Sequence, residues 1–136
     1  DGIFNTDYYS LLIGMDATVF PSYYEPWGYT PLESVAFGVP TVTTSLSGFG
    51  QWILSSSSPI FAKSGVSVIA RGDSNYNEVA DKISAAVASL DNSTATQLTA
   101  ISKAARKTAS KAAWTYFIEY YIEAFDIALN NAATRN

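Results

Sequence analysis

The stretch from Ala17 to Thr44 leaves this chain few choices of fold. Ala17-Thr18-Val19-Phe20 reads as a short buried strand that Pro21 ends. Thr30-Pro31-Leu32-Glu33 reads as a helix start, with Thr30 as the N-cap, Pro31 in the first helical position and Glu33 completing a capping box. Gly38 can close that helix in a left-handed turn, and Pro40 prevents it from resuming. Thr41-Val42-Thr43-Thr44 is a β-branched run and reads as the next strand. A strand, a helix and a second strand in this order predict a parallel pair, hence an α/β fold.

The rest of the chain extends this unit. A first helix is expected from about Thr6 to Ile13, with the charge of Asp7 in its first turn and Gly14 as its stop. Ser47-Gly48-Phe49-Gly50 reads as a glycine-rich turn, and Ser55 to Ser58 as a mobile loop tip. Val66 to Ala70 reads as a third strand. Beyond it the pattern is helical. Val79, Ile83, Ala86, Val87 and Leu90 share one face; Leu98, Ile101, Ala105, Thr108 and Ala112 share the next. Trp114, Phe117, Ile118, Tyr121, Ile122, Phe125 and Leu129 form a broad stripe on the last helix, a pattern of core packing or of a docking surface. The expectation is one domain over residues 1–136, with an α/β part at 1–70 and a mainly helical part at 71–136. Three strands make a partial doubly wound parallel sheet, one half of a Rossmann-like domain. Together with a start at Asp-Gly rather than Met, this predicts a piece of a longer protein.

Composition excludes several function classes. The 136 residues are 48% hydrophobic and 15% charged, the balance of a globular chain. With eight basic residues and a net charge of −4, nothing neutralises a run of phosphates, so no nucleic-acid partner is expected. The absence of Cys and His removes the usual zinc sites, thiol nucleophiles and imidazole bases, and no metal is expected. No stretch approaches the roughly 18 apolar residues that span a bilayer, so no membrane partner is expected. The lack of cysteine fits a reducing, cytoplasmic setting. Two short motifs, Arg71-Gly72-Asp73 and Asn92-Ser93-Thr94, match an adhesion tripeptide and a glycosylation acceptor, and nothing in the chain supplies the context either needs.

The chemistry is concentrated between Val19 and Trp52. Ligands of doubly wound sheets bind beyond the carboxyl ends of strands, and both loops, Ser22–Tyr29 and Ser45–Gly50, fall there. The free N–H groups of Tyr29, Thr30 and the first helical turn form an anion site suited to a diphosphate. Gly28 permits close backbone approach, and Thr30 adds a hydroxyl. Glu25 and Glu33 flank the site with acceptors for vicinal hydroxyls, and Trp27 and Tyr29 offer flat faces for a base or a sugar. On spacing alone a capping box accounts for Glu33, a core plug accounts for Trp27 and a turn accounts for Gly28. Glu25, in an aromatic loop bounded by prolines, has no such structural explanation.

Glu25 and Glu33, with seven residues between them, resemble the E-x7-E motif of retaining glycosyltransferases with two Rossmann-like domains, the GT-B type. FPSYYEPWGYTPLES followed by GVPTVTTSLSGFG resembles glycogen synthases of the eukaryotic kind more closely still. The resemblance covers Asp7 to about Trp52 well and the chain from Trp114 loosely. It implies that Glu25 contacts the donor glucose near the reacting centre and is the catalytic carboxylate. It implies that Glu33 binds the nucleotide ribose, that Tyr29 stacks on the base, and that the Gly28–Thr30 backbone holds the diphosphate, with Trp27 at the same donor site. The implied reaction moves glucose from UDP-glucose or ADP-glucose to the non-reducing end of an α-1,4-glucan, with no cofactor beyond the nucleotide sugar. The last helix resembles one that packs toward an amino-terminal domain in that family.

This chain lacks the basic Arg/Lys pair that the family places on the donor phosphates, as well as the acceptor domain, so alone it is expected to be inactive. The helix at Thr94–Ala112 carries only Lys103, Arg106, Lys107 and Lys111, short of the family's arginine-rich regulatory helix. Two alternatives remain: a non-catalytic binding or assembly domain, and a transferase of the sucrose or trehalose type. An exposed sheet edge and the terminal helix also allow homo-oligomers.

Overall fold

A computed structural model describes residues 3–135. In chain order its elements are α1 (Tyr8–Ile13), β1 (Thr18–Phe20), α2 (Tyr29–Ala36), β2 (Thr41–Thr44), α3 (Gly48–Ser56), α4 (Phe61–Ser64), β3 (Val66–Ile69), α5 (Tyr76–Asp91), α6 (Ala95–Ser110) and α7 (Trp114–Ala133). The sheet runs β1-β2-β3 with both pairings parallel. β2 is the middle strand and all four of its residues are buried, as a strand covered on both faces requires.

Register divides the sheet into two faces. Val42 lies beside Ser67 and Thr44 beside Ile69, while Thr41 and Thr43 lie beside Val66 and Val68. One core gathers Val42 and Ile69 with Phe61 of α4, Val79 and Leu90 of α5, and Ile101 of α6. The other gathers Val66 and Val68 with Val35 of α2, Phe49 and Ile53 of α3, and Ala105 of α6. α6 thus contributes to both cores from one stripe of its surface. The result is the α/β class and partial Rossmann-like layer expected from the sequence, followed by helices.

Several local features differ from expectation. α2 begins at Tyr29, and its N-cap is Gly28, held at φ 110°. Only glycine adopts that conformation without strain, so the helix starts two residues earlier than the Thr-Pro pair implies. Thr30 is therefore inside the helix and Pro31 is its third residue, where the missing N–H is still no loss. Glu33 makes no capping bond. The capping box that does form is at α6, where Thr94 accepts from the Gln97 amide and Gln97 accepts from the Thr94 amide. The tripeptide that reads as a glycosylation acceptor is thus the entry to a helix. Ser47–Gly50 is the first turn of α3, with Ser47 as N-cap, and Ser55 and Ser56 are helical. Glycine is needed at 48 for contact: a Cβ there would sit 2.3 Å from the Pro26 carbonyl oxygen.

Asp7 is the N-cap of α1. Its carboxylate accepts from the Ser10 amide at 3.0 Å and from the Ser10 hydroxyl at 2.5 Å. The hydroxyl first, then the amide, holds this carboxyl below its ordinary range. A depressed folded-state value means that the cap is fully formed above the ordinary carboxylate range and fades as pH falls through the lowered value. Asp7→Ala should speed amide exchange in α1 at neutral pH, and the difference from the parent should close as pH falls below the ordinary carboxylate range.

α7 buries none of its residues. Phe117 reaches the rings of Trp27 and Trp52, at centroid distances of 5.4 and 5.9 Å. Tyr121, Ile122, Phe125 and Leu129 stay exposed. Within the described residues, the stripe thus packs on the core only at its start, around Phe117, and most of it stays exposed.

Candidate functional site

The carboxyl ends of the three strands converge on one ledge. Beyond β1 the chain runs through Pro21 to Gly28, beyond β2 through Ser45 to Ser47, and beyond β3 to Arg71. The first two segments are stitched together by their backbones. The Glu25 amide donates to the Leu46 carbonyl at 3.2 Å, and the Glu25 carbonyl accepts from the Gly48 amide at 3.0 Å. The Phe49 amide donates to the Trp27 carbonyl at 2.6 Å. From the central strand, the Thr44 hydroxyl donates to the Ser22 carbonyl at 2.6 Å. Glu25 and Ser47 form an isolated parallel bridge, a short fourth rung at the edge of the site.

This stitching holds the main chain of Glu25 while leaving its carboxylate free. The side chain is half-buried and bonds no other described residue. Its Cγ lies 3.5 Å from where a Cβ on Gly28 would stand, so glycine at 28 serves close approach as well as φ. Glu25 and the α2 start are therefore neighbours on the ledge.

Glu33 sits half-buried on the first turns of α2. One of its oxygens accepts from the Tyr9 hydroxyl at 3.2 Å. The negative charge of Glu33, then this hydrogen bond, pushes the Tyr9 phenol above its ordinary value. Tyr9 orients the carboxylate, and the Tyr8 phenol stands close enough to feel the same charge. Sequence reasoning missed Tyr9, which lies 24 residues from Glu33 and has no local signal.

The amides of Tyr29 and Thr30 bond no described acceptor, and Pro31 has none to offer, so the α2 start presents two free donors at the positive end of the helix. The Tyr29 ring is 71% exposed, free to stack. Trp27 is half-buried against Phe49, Trp52 and Phe117. Trp27 and Tyr29 share a groove of about 570 Å³ whose far wall is Trp114, Phe117, Tyr120 and Tyr121. Among the described residues no three acidic groups gather as metal ligands would. The structure therefore brings Glu25, Trp27, Gly28, Tyr29, Thr30 and Glu33 to one ledge, and adds Tyr9 and Arg71 to them.

A parallel α/β layer with an open-amide helix start and two carboxylates at its carboxyl edge places the chain in the Rossmann-like class. The family model for glycogen synthase matches residues 1–135, and the chain belongs to that family. Among relatives, it is 57% identical over 47 residues to the liver glycogen [starch] synthase of Mus musculus, a stretch covering 35% of this chain and 7% of that protein. It is 61% identical over 44 residues to the Homo sapiens liver enzyme of the same name, covering 32% of this chain and 6% of that protein. It is 53% identical over 51 residues to glycogen [starch] synthase isoform 2 of Saccharomyces cerevisiae, covering 38% and 7%. The matched stretch thus spans less than a tenth of each relative's length.

Proposed function

We propose that this chain is the donor-binding part of a retaining glycosyltransferase that moves glucose from a nucleoside diphosphate to the non-reducing end of an α-1,4-glucan. The observation that carries this reading is the pair of carboxylates, Glu25 and Glu33, flanking the free-amide start of α2 at the carboxyl ends of parallel strands. Glu25 lies at the donor glucose and the reacting bond. The Glu33 carboxylate takes the ribose hydroxyls. The Tyr29 and Thr30 amides, with the Thr30 hydroxyl, take the diphosphate and stabilise the charge it gains on departure. Tyr29 stacks on the base, and Trp27 walls the same groove. No step needs a metal or a cofactor other than the nucleotide sugar.

In this reading, an amino-terminal acceptor domain and basic phosphate ligands complete the enzyme, and the bare face of α7 docks on that domain. The site of action is the cytoplasm, and no described helix is long and apolar enough to cross a membrane. The test uses protein expressed from the complete reading frame that contains this chain. UDP-glucose and ADP-glucose are supplied with glycogen, fructose or glucose 6-phosphate as acceptor. Glucosyl transfer to glycogen with retained configuration supports the proposal. Transfer to fructose or glucose 6-phosphate assigns another acceptor, and failure to bind either donor refutes the donor site. In the same assay Tyr29→Ala should raise the donor KM about tenfold, the loss of one stacking contact, with an unchanged melting temperature.

A further inference from the structure

Arg71 follows β3 and crosses the carboxyl ends of all three strands. Its Nη1 donates to the Pro21 carbonyl, beyond β1, at 2.7 Å. Its guanidinium carbon lies 3.4 Å from the centroid of the Tyr23 ring. Its amide donates to the Ser45 hydroxyl, beyond β2, at 3.0 Å. Nε is buried and has no partner among the described residues. Burial of an unpaired donor is unfavourable, so packing alone is a poor reason for an arginine here. What the planar fork achieves is a hydrogen bond along its edge and a stacked ring on its face at the same time.

Both contacts fall on the segment that leads into Glu25. Pro21 and Tyr23 lie on either side of Ser22, whose carbonyl Thr44 already holds. Downstream, Glu25 is held by Leu46 and Gly48. Tyr23 itself is 56% exposed, and the guanidinium stacks on its ring. We propose that Arg71 is a positioning residue: it clamps Pro21 and Tyr23 and so fixes Glu25 relative to the start of α2. The clamp follows from the contacts alone, while its effect on turnover rests on the proposed glucosyl transfer.

The experiment compares the parent protein, expressed from the complete reading frame, with Arg71→Ala, Arg71→Lys and Tyr23→Leu. Lys107→Ala, at an exposed position on α6, is the control. Hydrogen exchange of the Ser22–Gly28 peptide reports the clamp without reference to activity. It should quicken about tenfold in Arg71→Ala, with the strands still protected. The turnover number should fall roughly 10- to 100-fold while the donor KM stays within about threefold, the signature of a misplaced group rather than a lost binding contact. Arg71→Lys should recover only part of the loss, because an ammonium keeps the charge and can reach Pro21 but lacks the planar face that stacks on Tyr23. Tyr23→Leu should reproduce part of it, and decides the matter if Arg71→Ala does not fold. Unchanged exchange in the peptide overturns the clamp. Quickened exchange with unchanged turnover, or a lower melting temperature as the only effect, overturns the positioning role. If the parent neither binds nor transfers a nucleotide sugar, the proposed function fails, and the exchange measurement alone decides the clamp.

Discussion

Glu25→Ala, made in protein expressed from the complete reading frame, should lower glucosyl transfer by about 10³-fold, the scale seen when a preorganised electrostatic contact to a reacting centre is removed. Glu25→Gln should lose nearly as much, because it keeps shape and hydrogen bonding but not charge. Neither should cost much stability. The side chain bonds no other described residue, and the bonds that seat Glu25 on Leu46 and Gly48 are made by its backbone. Donor affinity should change little, since the α2 start, Tyr29 and Glu33 remain. Steady-state kinetics with both donors, set beside melting curves, separate these effects. A turnover number within tenfold of the parent would remove Glu25 from the reacting centre.

Gly65→Ala should damage the fold severely for a single methyl group. Gly65 ends α4 at φ 72°, a conformation that strains other residues. The added Cβ would lie 2.3 Å from the Ala105 Cβ and 2.5 Å from its Cα, both on α6. Backbone strain and overpacking each cost about 1–3 kcal/mol, so a loss of about 4 kcal/mol is expected. For a chain of this length that is a fall of roughly 10–15 °C in melting temperature. Adding Ala105→Gly should recover little, because the Cα and amide nitrogen of residue 105 would still lie 2.5 and 2.7 Å from the new carbon. A melting temperature within a few degrees of the parent would mean that α4 and α6 can separate at little cost.

The sequence was most informative where a local rule decides structure. β-branched runs marked β2 and β3, and helical periodicity picked out Val79, Leu90, Ile101 and Ala105, all of which are buried. It was least informative where two distant segments meet. Gly48 and Gly50 look like turn residues because glycine is common in turns. Their actual reason is the Pro26 carbonyl against one and the Thr44 carbonyl against the other. The Thr30–Glu33 spacing satisfies a capping box on paper, but Gly28 can reach a left-handed φ and starts the helix first. That result removes the structural explanation for Glu33 that spacing alone supplied and leaves its carboxylate to the tyrosines of α1. The residues that make up the ledge were legible from their chemistry and from the family resemblance. Tyr9 and Arg71 were not, since each reaches the ledge only through folding.

The stitching between the two loops has an electrostatic consequence. Two helices begin at this edge of the sheet, and each offers the positive end of its dipole. In α3 the first amides are already taken, by the carbonyls of Glu25 and Trp27 and by the Ser47 hydroxyl. In α2 they are open. The edge is therefore polarised along its length: an arriving anion finds hydrogen-bond donors on one side and saturated backbone on the other. A ligand with one charged end and one neutral end meets a surface that already distinguishes the two, before any side chain moves.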